Sequence, residues 1–529
     1  MKSIFIFLSL LACCAAYKII IFSPGSVNSQ IMFNKRVAEV LANAGHEVHV
    51  ALLLQVEGLE LTEVNFPKNV HVHPVNASIG VTKTEMEDKQ SFMAFEDLQF
   101  WDKRMRDILS MTMRMMSESC RIVLQNKEFL KWLEDSKFDI AFVHMYHACP
   151  LGFPVVGKVP AWIWLNSGAL MDNVANIVGV PIFPSYVPPI LMAAQDSMTF
   201  LERTKSFIGH ALFKIIWPRS VARPETQVFR DEIDPNFPDL LEIGANCSLV
   251  MVNSNPLYDL PRPTLEKIVN IGGLGAQLKD AKALPEDLEK FVQKGEAAIV
   301  FSFGSVAPIH KAPESWKEAM IGAFKRLPNY QFVMRYMGDD LNDRLPPNVK
   351  IMKWLPQSDL LQHPRVKAFI SHGGYNGMQE TIAAGKPIIM IPLFGDQPKN
   401  AKIGEKHGIA KILLKTEFTE YNLYQAVSEV MTEERFTASV RRLSKMVQKQ
   451  PVSSEQLLVK WTELLAEFKT LDNLKPASLK LNFFQYYSLD VIGFLAMVVV
   501  VSVLLLLLFV RWLLCKVYRK IVPKKEKTA

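Results

Sequence analysis

Cysteine is scarce in this chain of 529 residues: Cys13, Cys14, Cys120, Cys149, Cys247 and Cys515 are all there is. None forms a C-x-x-C pair, and no His/Cys cluster has the spacing of a metal site, which argues against a zinc module. Cys13 and Cys14 fall in a segment expected to be removed, and Cys515 lies beside an apolar run. Three are left in the body, enough for one disulfide and one spare thiol. Basic surface is equally short. The formal charge is +7, but the last nineteen residues hold seven Lys or Arg against one Glu, and Lys2 adds one more, which accounts for the whole excess. The body is near neutral, so no basic groove and no nucleic-acid partner is indicated. What the chain does have is apolar mass, 49% hydrophobic with 32 Phe, and a length that suggests two or three domains.

The most informative stretch runs from Trp354 to Asn400. Trp354 and Gln357 can stack on and hydrogen-bond a flat base. Val366 to Ile370 reads as a buried parallel strand. The chain then breaks at Ser371-His372-Gly373-Gly374 and opens a helix near Asn376 that closes at Gly385. Small residues before a helix leave backbone N–H groups free for a phosphate, and His372 and Asn376 stand where side-chain donors would add to them. Glu380, one turn on, can accept from two ribose hydroxyls. After a second buried strand, Pro387 to Ile391, Asp396 and Gln397 can read the hydroxyls of a sugar.

In order and spacing these W-x-P-Q, H-G-G-x-N-G, E and D-Q elements resemble the donor-binding signature of the family 1 UDP-glycosyltransferases, the group that contains the UDP-glucuronosyltransferases. The resemblance implies an α/β fold of two Rossmann-like, doubly wound domains facing across a cleft, the GT-B arrangement, with a C-terminal transmembrane helix. It implies a UDP-sugar site built from Ser305, Trp354, Gln357, His372, Gly374, Asn376, Gly377, Glu380, Asp396 and Gln397. The UDP-sugar would be a co-substrate, and no further cofactor is implied. No D-x-D triplet occurs, so no metal is indicated at the phosphates.

Read in order, residues 1–16 look like a secretory signal. Lys18 to Phe22 reads as a strand and Ser23 to Ser26 as a loop. A helix with Phe33, Val37, Val40, Leu41 and Ala44 on one face follows, then a strand from Glu47 to Leu53, so the first half is also doubly wound. Residues 17–275 are expected to form the acceptor-binding domain, 276–296 a linker, and 297–470 the UDP-sugar-binding domain, whose last helix crosses back to the first domain in the family. Gly273-Leu274-Gly275 has the start of a dinucleotide fingerprint but Leu278 at its third glycine, and is rejected. Asn76 and Asn246 head glycosylation sequons; Asn246 precedes an apolar run and is expected to be buried.

Residues 471–490 read as a juxtamembrane segment. Val491 to Val510 carries no charge, and twenty residues at ~1.5 Å each span a ~30 Å hydrocarbon core. The basic stretch 511–529 then reads as a cytosolic tail, with the body lumenal in a single-pass type I topology. The closing Lys525-Glu526-Lys527-Thr528-Ala529 resembles the K-x-K-x-x retrieval signal of the endoplasmic reticulum. Expected partners are the UDP-sugar, a small lipophilic acceptor and the membrane; the sequence leaves open whether the chain forms a homo- or hetero-oligomer.

One part departs from the family. There, a histidine just after the first strand takes the acceptor's proton and an aspartate after a later strand orients it. Here Gln30 stands in the first position and His144 in the second. Glutamine accepts no proton. Three readings follow: His144 or neighbouring His147 is a displaced base; the acceptors are amines, thiols or acidic phenols that need little base; or the chain binds UDP-sugar without turnover, as a pseudoenzyme or partner subunit. Glucuronic acid and glucose are the expected donor sugars.

Overall fold

The computed structural model describes residues 16–521 apart from 27, 59–64, 99–101, 276–280 and 306. The proposed signal segment, all but its last residue, and the K-x-K-x-x motif lie outside the described residues.

Two parallel sheets organise the body. The first comprises β1 (Lys18–Gly25), β2 (Glu47–Leu54), β3 (Val70–Asn76), β4 (Ile140–His144), β5 (Trp162–Asn166), β6 (Leu249–Val252) and β7 (Ile268–Asn270), in the spatial order 3-2-1-4-5-6-7. The second comprises β8 (Ala297–Ser302), β9 (Tyr330–Arg335), β10 (Val349–Met352), β11 (Val366–Ser371), β12 (Ile388–Met390) and β13 (Ala410–Ile412), in the order 10-9-8-11-12-13. Both are doubly wound, with helices packed on both faces, which is why their central strands read as unbroken apolar runs. In each, strand order reverses beside the first strand, between β1 and β4 and between β8 and β11. The crevice at such a switch point is where this architecture holds ligands. The two switch points carry the expected site residues.

The first expected loop is shorter than the sequence suggested. β1 continues through Ser23 and Pro24 because β2 keeps offering ladder partners as far as Leu54, with Ser23 opposite Leu52 and Gly25 opposite Leu54. The interval 276–296, expected as a linker, holds a helix at Glu286–Val292 that buries Leu288 and Val292. Asn246, expected to be buried, is exposed: it caps the helix Leu240–Ala245 and turns its amide back onto the Glu242 carbonyl, while Cys247 beside it goes inward. Cys120 and Cys149 form the one disulfide, and Cys247 is a buried thiol.

The helix Ser454–Phe468 does cross back. Its Leu458 and Leu465 join the core under β1 and β4 with Ile19, Val37 and Ile140, and the Leu471 N–H donates to Ser248 Oγ. The compact body ends at Leu474, so the first residues of the expected juxtamembrane segment belong to it. The remaining unit is dominated by one helix, Leu489–Ile521, 33 residues with a mean hydropathy of 3.2 in its most apolar window. It runs past Val510 because leucine, arginine and lysine, all good helix formers, continue the chain there with no glycine or proline.

Candidate functional site

The two switch points face one cleft of about 830 Å³, lined by both halves of the body. Ten expected donor residues, Ser305, Trp354, Gln357, His372, Gly374, Asn376, Gly377, Glu380, Asp396 and Gln397, all line it, as does Gln30. His144 does not.

The end of the cleft expected to take the phosphates lies at the start of the helix Tyr375–Ala384. Gly374 is its N-cap and no side chain caps it, so the first N–H groups point free into the cleft with the positive end of the helix dipole. Glycine is required at 374: a Cβ there would sit 2.5 Å from His372 Nε2. Gly385 ends the helix in the left-handed region, φ +64°. Burial pushes the His372 imidazole down to about 4, against a hydrogen bond to the Ser302 backbone, so it is neutral near pH 7 and not a cation. Asn376 Oδ1 accepts from Asn253 Nδ2 at 2.9 Å, which turns the Asn376 amide N–H₂ toward the ligand side as the free donor.

The end expected to take the base and ribose carries Trp354 and Glu380. Trp354 is 47% exposed, with the Arg335 guanidinium 5.4 Å from its ring centroid. Glu380, expected to accept from ribose hydroxyls, is also engaged within the protein. One oxygen accepts from Arg36 Nη2 at 2.9 Å and the other from Gln357 Nε2 at 2.6 Å. Each carboxylate oxygen keeps acceptor capacity for a hydroxyl. Arg36 comes from the first domain, so the pair bridges the cleft. Neither Arg36 nor Asn253 was picked out from the sequence; both lie far from the signature in the chain and are brought to it only by folding.

The residues expected to read the sugar, Asp396 and Gln397, lie after β12. Gln397 Oε1 accepts from the Leu393 and Phe394 N–H groups, leaving its amide nitrogen as a donor. Asp396 accepts from Asn400 Nδ2 at 2.9 Å, and burial raises its carboxyl above the usual range.

Across from these, the wall of the first domain presents Gln30, Tyr146 and Ser167. Ser26 Oγ donates to Gln30 Oε1 at 3.3 Å, and the Tyr146 hydroxyl is hydrogen-bonded with Ser167 Oγ. Burial pushes the Tyr146 phenol up to about 12, so it keeps its proton. His144 is 3% exposed and lies beneath this wall. Its Nδ1 accepts from the Tyr146 N–H at 3.4 Å, its Nε2 has no protein partner, and burial together with neighbouring His147 holds it well below the ordinary imidazole range. His147 is equally enclosed, its Nδ1 3.1 Å from Glu225 Oε1, a carboxylate that also accepts from the Ala148 and Cys149 N–H groups. Both imidazoles are part of the packing around the disulfide rather than of the cleft wall. Tyr146, two residues beyond His144, is the one that reaches the cleft.

The family model described as UDP-glucoronosyl and UDP-glucosyl transferase matches residues 19–528. The chain is 30% identical to human UDP-glucuronosyltransferase 1A8 over 502 residues, covering 92% of this chain and 90% of that one. It is 30% identical to human UDP-glucuronosyltransferase 2B7 over 470 residues, 87% of each. Among solved structures it is similar to the glycotransferase of kitacinnamycin, with a TM-score of 0.57 at 16% identity over 86% of this chain and 100% of that one. It is also similar to CalG4, the calicheamicin glycosyltransferase, with a TM-score of 0.53 at 16% identity over 85% and 98%. At that identity the structures speak for the fold alone.

Proposed function

The chain belongs to the UDP-glucuronosyl and UDP-glucosyl transferase family, and from that membership we propose that it transfers glucuronic acid or glucose from a UDP-sugar, with inversion, to small lipophilic acceptors that need little help in losing a proton. The observation that carries this reading is the asymmetry of the cleft. Its donor half presents a group for each part of a UDP-sugar, while the opposite wall, Gln30, Tyr146 and Ser167, holds no side chain that takes up a proton at neutral pH.

A neutral aryl amine suits such a site. Its lone pair attacks C1 as the C1–O bond to UDP breaks, and the bonding pair leaves on the β-phosphate. The helix N-terminus at Gly374 and the His372 N–H stabilise that developing charge. The nitrogen becomes an ammonium, acidic enough to lose its proton to water without a base. Thiols and acidic phenols, partly ionised before they bind, meet the same requirement.

The setting we propose is the lumenal face of the endoplasmic reticulum membrane. The exposed apolar helix Leu489–Ile521 supports an anchor, and the disulfide between Cys120 and Cys149 suits an oxidising compartment. The helix Phe200–Trp217 also turns Phe207, Ile208 and Leu212 outward while burying Ser206 and His210, as expected of a body held against lipid.

The test is product formation from a panel of UDP-sugars against an aryl amine, a thiol, and phenols of high and low acidity. Transfer to the amine well above transfer to the least acidic phenol is expected. Equal rates would overturn the low-base reading. UDP binding without turnover of any pair would leave a UDP-sugar-binding scaffold.

A further inference from the structure

Behind the hinge lies a second concavity, about 1100 Å³, which shares no lining residue with the donor cleft. Its walls come from both halves of the body. β7 and the turn Asn255–Leu257 belong to the first sheet's domain, the helix Glu434–Gln448 to the second, and the crossover helix Ser454–Phe468 closes the third side. Asn255 Nδ2 donates to Gln450 Oε1 at 2.8 Å across its rim.

Four cations line this groove: Arg441, Arg442, Lys445 and Lys449, against one carboxylate, Glu266. In a body that is near neutral this is a local excess. Among the described residues none of the four is in an ion pair, although Arg435 on the same helix pairs with Glu429 and Glu433. Arg441, Lys445 and Lys449 recur every fourth residue, and like charges at that spacing cost a helix a few tenths of a kcal/mol per pair. Lys445 and Lys449 are offset by the negative end of the helix dipole, which they meet in the last turn and at the C-cap, but Arg441 and Arg442 lie outside its reach. The groove floor is apolar: Val269, Val452, Leu457 and the half-buried Trp461 ring lie opposite the cations.

A cationic edge over an apolar and aromatic floor complements one chemistry. We infer that the groove binds a small phosphomonoester with an apolar body, the phosphate on Arg442 and Lys445 and the body against Trp461 and Leu457. Planar guanidinium groups and ammonium groups suit phosphate oxygens, and the concavity is large enough to cover the rest.

The experiment uses the full chain in discs of zwitterionic lipid with UDP saturating the donor cleft. Binding of 1-naphthyl phosphate and of octyl phosphate is followed by equilibrium dialysis, with 1-naphthol, octanol and inorganic phosphate as competitors. Saturable binding of at least one phosphomonoester, not displaced by UDP and weakened at least tenfold in Arg442→Glu with Lys445→Glu, is expected. Tighter naphthyl than octyl binding would identify an aromatic body, the reverse an aliphatic one. Trp461→Leu, which keeps the floor apolar, should weaken naphthyl phosphate at least threefold and serves if the charge reversal misfolds; an unaltered melting shift with UDP shows that a variant is folded. No saturable binding at millimolar ligand, displacement by UDP, or an affinity indifferent to both variants would overturn the inference.

Discussion

In the reading proposed above, position 30 decides how the cleft handles a proton. Gln30 lines the cleft together with Tyr146 and Ser167. Gln30→His should therefore raise turnover of a weakly acidic phenol, by up to the ~10²–10⁴-fold typical of general-base help, with UDP affinity unchanged; kcat for phenol transfer beside a UDP titration checks both halves. His144→Ala, by contrast, should leave the acceptor preference of the wild type intact, because that ring lies beneath the wall. A collapse of activity with unchanged melting behaviour would reinstate it as a displaced base. On the donor side, Gly374→Ala places a methyl 2.5 Å from His372 Nε2, and should abolish most of the rise in melting temperature that UDP gives the wild type by binding only the native state. His372 also carries a pH signature. Burial holds it near 4 in the fold, against ~6.5 when exposed, so between those values unfolding takes up a proton. Stability then rises with pH across that window and falls as pH drops through it. Denaturant midpoints from pH 4.5 to 7 should show this slope, and His372→Asn should reduce it, leaving the part due to other buried imidazoles such as His144 and His46.

Among the elements, the disulfide has the clearest mechanical role. It ties the helix Lys103–Gln125 to the segment after β4, across 29 residues, next to the buried Glu225–His147 pair. Removing it frees the unfolded chain, a loss of typically 2–4 kcal/mol. Cys120→Ser should lower the melting temperature without changing the UDP-dependent shift, since neither cysteine lines the cleft; a lost shift would mean that the change reaches Met145 and Tyr146, which pack in the same core. The helix Tyr375–Ala384 shows the opposite division of labour. Its interior packs Met378 and Ile382 into the core, and its uncapped start opens on the cleft, where the proposed reading places the phosphates.

At the scale of the whole body, the two halves meet through apolar packing and through polar contacts in and beside the cleft. Arg36 reaches Glu380, Asn253 reaches Asn376, and Lys399 Nζ donates to the Pro188 carbonyl at 3.1 Å. In the proposed reading, donor binding and domain arrangement therefore share residues. In the topology proposed above, protease added to sealed microsomes should remove only the basic tail. Digestion of the body without detergent would overturn that arrangement. Lys525→Ser with Lys527→Ser should release the protein from the endoplasmic reticulum, followed by its surface arrival; continued retention would leave the motif without a role.

Much of the donor site was legible because its parts are local. A strand, a glycine break, a helix start and an acidic residue one turn later follow one another within Trp354–Gln397, and short-range geometry alone brings Gly374, Asn376 and Glu380 to one end of a βαβ unit. The doubly wound fold was legible for the same reason, from apolar runs alternating with amphipathic stretches. Tertiary structure decided what depends on distant chain. Arg36 and Glu380 are 344 residues apart, and no pattern in either segment announces their pairing. Whether His144 or Tyr146 meets the acceptor turns on which side chain the packing of β4 against Trp164 and Glu225 leaves outside. That choice belongs to close packing of the core, where a two-residue difference separates a sealed imidazole from a wall of the cleft.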